Sequence, residues 1–104
     1  MQFLVITKPS SAPPFEMLSP LMDGMNAWLA HWRSAGKLKE SWAFAGLGGG
    51  GGIAEVASHE ELEEIMVGFP WAPWSSIEIY ALSDLDHSLA ANRAALAQMT
   101  GGSA

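Results

Sequence analysis

His31 is the histidine of this 104-residue chain that falls beside an apolar helical stripe. An unperturbed imidazole titrates near pH 6.5, which suits general acid–base work near neutrality. Met25, Trp28 and Trp32 stand around it at helical spacing, and a following strand carries Trp42 and Phe44. If that strand turns its Trp42 face to the helices, these five residues line an aromatic pocket with His31 as proton shuttle at the mouth. Asp23, the one charged residue between Leu18 and Ala30, and Glu55, in mid-strand, are the candidate helpers. Desolvation of a carboxylate on a covered sheet face raises its pKa, the condition for a general acid or base. The competing account is a half-exposed histidine, tryptophans packed in a core, and Glu55 and Glu78 paired with Lys8, Lys39 or Tyr80 at a wet interface.

Other chemistries are excluded by residue type or spacing. Gly48–Gly52 resembles a phosphate loop only in composition. No Lys-Ser/Thr follows it, and it leads into a strand, so it reads as a flexible hairpin turn. His59 and His87 sit near helix starts, no two histidines have i, i+4 spacing, and H-E-x-x-H is absent, so no metal site is expected. With no cysteine there is no disulfide or thiolate chemistry. Ser41, Ser75 and Ser76 lack the G-x-S-x-G setting of a nucleophile elbow.

A net charge of −6 argues against nucleic acid and anionic membrane as partners. The five basic residues form no dense patch, although Arg33, Lys37 and Lys39 are a local concentration. No apolar run approaches the roughly 18 residues of a membrane span. The opening residues lack the pattern of a signal peptide, which leaves the cytoplasm as the expected compartment. Five tryptophans and six methionines exceed what a small core needs, and point to a pocket or a subunit contact.

The elements that must position these groups follow in order. Phe3 to Thr7 is a β-type run ended by Pro9, Pro13 and Pro14. Leu18, Leu21, Met22, Met25, Trp28, Leu29 and Trp32 then keep helical spacing over four turns. Ser19-Pro20 is its expected start and Gly36 its stop. Lys39–Leu47 and Ile53–Ala57 read as two strands around the glycine turn. Ser58-His59-Glu60-Glu61 is a capping box that opens a second helix through Leu62, Ile65, Met66 and Phe69. Gly68 and Pro70 close it. Ile77–Leu82 alternates as a fourth strand. Asp84 or Asp86 caps a last, alanine-rich helix through Leu85, Leu89, Leu96 and Met99, and the end from Gly101 should fray.

The order β-α-β-β-α-β is ferredoxin-like, class α+β, with a four-stranded antiparallel sheet and an extra C-terminal helix. The expected division is a domain over 1–83 and a helix with tail over 84–104. Two helices cover one face of such a sheet, so the bare face is expected to meet a second copy, giving a dimeric α+β barrel.

Several residues in this order resemble the muconolactone isomerase-like family of dimeric α+β-barrel proteins. They are Gly36-Lys37, Trp42 with Ala45-Gly46, Glu55-Val56 with Ser58 and Glu61-Leu62, Pro70 and Pro73, and Ala81-Leu82. The resemblance covers roughly residues 2–82. It implies a small, cytoplasmic homodimer or larger homo-oligomer that shifts a proton on a small hydrophobic lactone without cofactor or metal. The family enzyme carries Lys and Glu in the middle of the first helix, where Met22 and Met25 stand here. That departure leaves two alternatives beside an isomerase: a non-catalytic ligand-binding or oligomeric accessory module, and a cofactor-free oxygenase of the same architecture.

Overall fold

The computed structural model describes residues 1–101. The chain runs β1 (Gln2–Pro9), α1 (Leu18–Ser34), β2 (Leu38–Ala43), β3 (Gly50–Glu55), α2 (His59–Val67), β4 (Ser75–Leu82) and α3 (Leu85–Gly101). Short 3₁₀ turns at Phe15–Met17 and Ala72–Trp74 precede α1 and β4. The sheet order is β2-β3-β1-β4, with every neighbouring pair antiparallel. This is the ferredoxin-like arrangement expected from the element order.

Strand alternation decides which face is covered. Phe3 and Val5 are buried, and they pair with Ala54 and Gly52 of β3 and with Ala81 and Ile79 of β4. These residues face the helices. Leu62 and Ile65 of α2 complete the core with Val56, and Trp28, Trp32, Met66 and Ile77 pack against it. The other face carries Leu4, Ile6, Ile53, Glu55, Trp42, Glu78 and Tyr80 by the same registers. Tyr80 is 50% exposed, and its hydroxyl donates to Glu78 Oε2 at 2.7 Å. That hydrogen bond, with the carboxylate charge beside it, raises the Tyr80 pKa above its ordinary 10.0.

The helix ends follow their local sequence. Gly36 takes φ 74°, Gly36 N–H donates to Arg33 O and Lys37 N–H to Trp32 O, which is a Schellman stop. Ser58 accepts from Glu61 N–H at 3.1 Å, while the Glu61 carboxylate reaches back to Ala57 N–H at 3.2 Å. Asp84 caps α3 through His87 N–H at 2.9 Å. The start of α1 differs from expectation: the helix begins at Leu18 after the 3₁₀ turn, and Met17 caps it with no side-chain hydrogen bond.

The hairpin also differs. β2 stops at Ala43 and β3 starts at Gly50, so three of the five glycines lie in the strand. The reversal uses Gly46, Gly48 and Gly49, all at positive φ. Gly50–Gly52 sit where side chains do not fit. A Cβ on Gly50 would collide with Trp42 O, and one on Gly51 would lie 2.8 Å from Val5 O and 3.1 Å from the Trp42 ring.

No residue of α3 is buried. The molecule measures 69 × 28 × 23 Å, because this helix stands off the body. Gly101 closes it, and the remainder of the expected frayed end, 102–104, lies outside the described residues.

Candidate functional site

A cavity of about 390 Å³ lies between the helices and the covered face of the sheet. Its floor is Gly50, Gly52 and Ala54, all buried, beside Val5 and Thr7 of β1. This floor carries no side chain larger than a methyl group. α1 supplies Met25, Trp28, Leu29 and Arg33, and α2 with the residues after it supplies Ile65, Met66 and Phe69. β2 adds Leu38, Ser41 and Ala43.

The wall is fixed by specific bonds. Trp28 Nε1 donates to Ile65 O at 3.0 Å, tying α1 to α2, and its ring meets Phe69 at 5.2 Å and 60°. A half-buried indole with its N–H satisfied is a rigid apolar surface. Thr7 Oγ1 donates to Gly50 O at 3.3 Å. Lys37 Nζ lies 2.9 Å from Glu61 Oε1, joining the start of β2 to α2. That hydrogen bond from Lys37, then the one from Ala57 N–H, hold the Glu61 pKa below its ordinary 4.5.

Arg33 is the one charged residue lining the cavity. Its Nη2 donates to Ser41 Oγ at 2.6 Å. Among the described residues it has no carboxylate partner, although the chain holds eleven acidic side chains. Arg33 is exposed at the cavity lining, and its guanidinium offers a donor fork suited to a planar anion.

The site residues expected from the sequence are only partly brought together. Met25 and Trp28 line the cavity. Trp42 borders it, but β2 turns Ser41, not Trp42, toward the helices. The Trp42 ring lies across Gly51, on the opposite face with Ile6. The condition that β2 turn its Trp42 face to the helices is therefore not met, because the glycines of β3 leave the ring a seat on the other side. Trp32 packs on the core and Phe44 lies in the turn after β2, both outside the lining. His31 is exposed, edge-on to Trp32 at 4.6 Å, and outside the lining. At 100° per residue it lies more than about 100° from the Met25–Leu29–Arg33 face of α1. Asp23 is exposed on α1. Glu55 pairs with Gln2 on the uncovered sheet face, as its alternation predicts. Its Oε2 is out of solvent and has no hydrogen-bond partner among the described residues.

No lining residue is a carboxylate or an imidazole. Among the described residues no group of three or more His, Asp or Glu could hold a metal ion, and no helix is long and apolar enough to cross a membrane. Arg33 and Ser41 escaped the sequence reading as site residues. The signal that could have found them is the basic concentration at 33–39, placed at the end of the apolar stripe of α1.

A family model described as muconolactone delta-isomerase matches residues 1–88. A crystal structure of muconolactone isomerase superposes with a TM-score of 0.73 at 20% identity, over 81% of this chain and 90% of that one. The 5-chloro-2-hydroxyhydroquinone dehydrochlorinase of Burkholderia phenoliruptrix AC1100, in complex with 2,5-dihydroxybenzoquinone, superposes at 0.61 and 19% identity. That match covers 84% of this chain and 98% of the other. No curated protein sequence matches at a significant level. At these identities the two structures establish the shared fold.

Proposed function

Because the chain belongs to the muconolactone delta-isomerase family, we propose that its cavity binds a small, mainly apolar ring bearing one anionic group, on which the protein shifts a proton. The observation that carries this reading is the 390 Å³ cavity with Arg33 as its single charge. The volume falls within the range of small-molecule sites, and an apolar wall with few polar groups is their usual chemistry. Trp28, Met25 and Leu29 would hold the ring, and the Arg33 fork with Ser41 would take the anion. The dehydrochlorinase of the same fold, in complex with 2,5-dihydroxybenzoquinone, supports a ring of this size.

Proton transfer also needs a base within reach of the ligand, directly or through one water. The lining supplies none, so the base comes from beyond it. We assign that part to His31, Asp23 or Glu55 of an assembled homo-oligomer, acting without cofactor or metal in the cytoplasm. The uncovered sheet face supports such assembly, since Trp42, Tyr80 and Leu82 are 41%, 50% and 40% exposed. The orphaned Glu55 Oε2 on that face supports it too, because an unmatched buried acceptor is unfavourable until a donor arrives. The absent base favours one second reading, a binding module that keeps the cavity and has lost the reaction.

Proton exchange separates the two. The protein is incubated in D₂O with an unsaturated lactone carboxylate, and deuterium in the ligand is followed by NMR. The isomerase reading expects exchange above the buffer rate, lost in a His31→Ala, Asp23→Ala or Glu55→Ala variant that still quenches Trp fluorescence on binding. Binding without exchange leaves the module. Absence of binding removes both.

A further inference from the structure

The last helix has a surface that its own body does not use. Leu85, Leu89, Leu96 and Met99 are 70%, 58%, 62% and 76% exposed. With Asn92 they follow 4-3-4-3 spacing, which gathers all five in a stripe about 80° wide. That is the seam of a helix pair, and Asn92 sits at its centre. The family match ends at residue 88, so almost all of this helix lies beyond what the family shares.

Two further observations say what covers the stripe. Most helical stability in proteins comes from packing an apolar face, and this 17-residue helix buries none of its own residues. The accessible surface is 7152 Å². A compact chain of this mass exposes about 5,700 Å². The surplus of about 1,500 Å², which α3 shares with the uncovered sheet face, exceeds the roughly 800 Å² that each partner gives to a standard interface.

We propose that α3 is an assembly arm that pairs antiparallel with α3 of a second copy, about a two-fold axis at Asn92. Under that axis Leu89 of one copy meets Leu96 of the other, and Leu85 meets Met99. Leu85 and Met99 each lie seven residues from Asn92, and Leu89 and Leu96 lie three and four, so the stripe matches its two-fold image to within one residue, as an isologous contact requires. Ala95 borders the stripe, and its small side chain lets the helices approach closely there. Asn92 against Asn92 fixes the register, since any slip would set an amide against leucine. This contact is separate from the cavity and does not depend on what the cavity binds.

The chain has no cysteine, which makes the test direct. Full-length Asn92→Cys and Ala94→Cys proteins are oxidised and the disulfide-linked dimer is followed on non-reducing gels. Ala94 faces away from the stripe, half a turn round the helix. A disulfide needs Cα atoms within about 7 Å. Cross-linking through position 92 is expected roughly tenfold faster than through position 94, and to fall to the control rate when Leu89→Glu and Leu96→Glu are added. Both leucines are exposed in the single chain, so these changes leave the body folded. Equal rates at 92 and 94, or cross-linking that survives the two glutamates, overturns the proposal.

Discussion

Arg33→Leu tests the link between the cavity and the ligand's charge. A hydrogen bond to a charged group contributes about 1.5–3 kcal/mol. Arg33 is exposed, so water competes for the same donors and the lower end applies. About 1.5 kcal/mol is roughly a tenfold loss of affinity. The fold should barely respond. The bond given up is the one to Ser41 at 2.6 Å, between exposed groups, and such surface changes stay within about 0.5 kcal/mol. Quenching of Trp28 fluorescence by an aromatic acid and by its neutral amide reads the binding. The wild-type protein is expected to prefer the acid, and more strongly at low salt. The variant is expected to hold the two alike, with the amide affinity unchanged. If the preference for the acid survives the substitution, the Arg33 fork is not the anion site. If both ligands weaken together, the arginine shapes the wall and does not read charge.

Two other outcomes concern the scaffold. Glu61 has its folded pKa below its unfolded value, so its contribution is present above pH 4.5 and is lost as pH falls through the lower, folded value. The difference in melting temperature between the wild type and Glu61→Gln is therefore expected near pH 7 and should close as pH drops below 4.5; a constant gap would show that the Lys37 pair is inert. Gly50→Ala places a Cβ against Trp42 O and should cost about 2 kcal/mol or more in urea denaturation, whereas an unchanged midpoint would mean that the hairpin shifts freely.

Much of this architecture was legible in the residue order. The Schellman stop at Gly36 and the Ser58–Glu61 box are local chemistry, written within six residues. Strand alternation placed Glu55 and Glu78 away from the helices, and both pair there with Gln2 and Ile6. The glycine run was harder. Its length suggests a turn, and only the close approach of Val5 O and the Trp42 ring explains why the last three residues are strand. The facing of Trp42 follows from that same contact between segments, which spacing does not record. His31 borders the apolar stripe in the sequence, yet one step along a helix turns a side chain by 100°. Arg33, a long cation at the end of a stripe, reads as solvent-facing charge in the sequence, and only the fold brings Ser41 beside it.

The bare floor of the cavity has a consequence for how ligand preference could change. Gly50 and Gly52 hold no atoms that can be trimmed, and Gly52 tolerates little addition, with Glu40 O 2.7 Å and Leu38 Cδ1 3.0 Å from where a Cβ would stand. The sheet is thus a fixed anvil, and the room above it is set from the roof. Met25, Leu29 and Met66 line it from the helices and take part in no strand pairing. A new guest would be accommodated by rewriting a few helical positions while the hairpin beneath stays as it is.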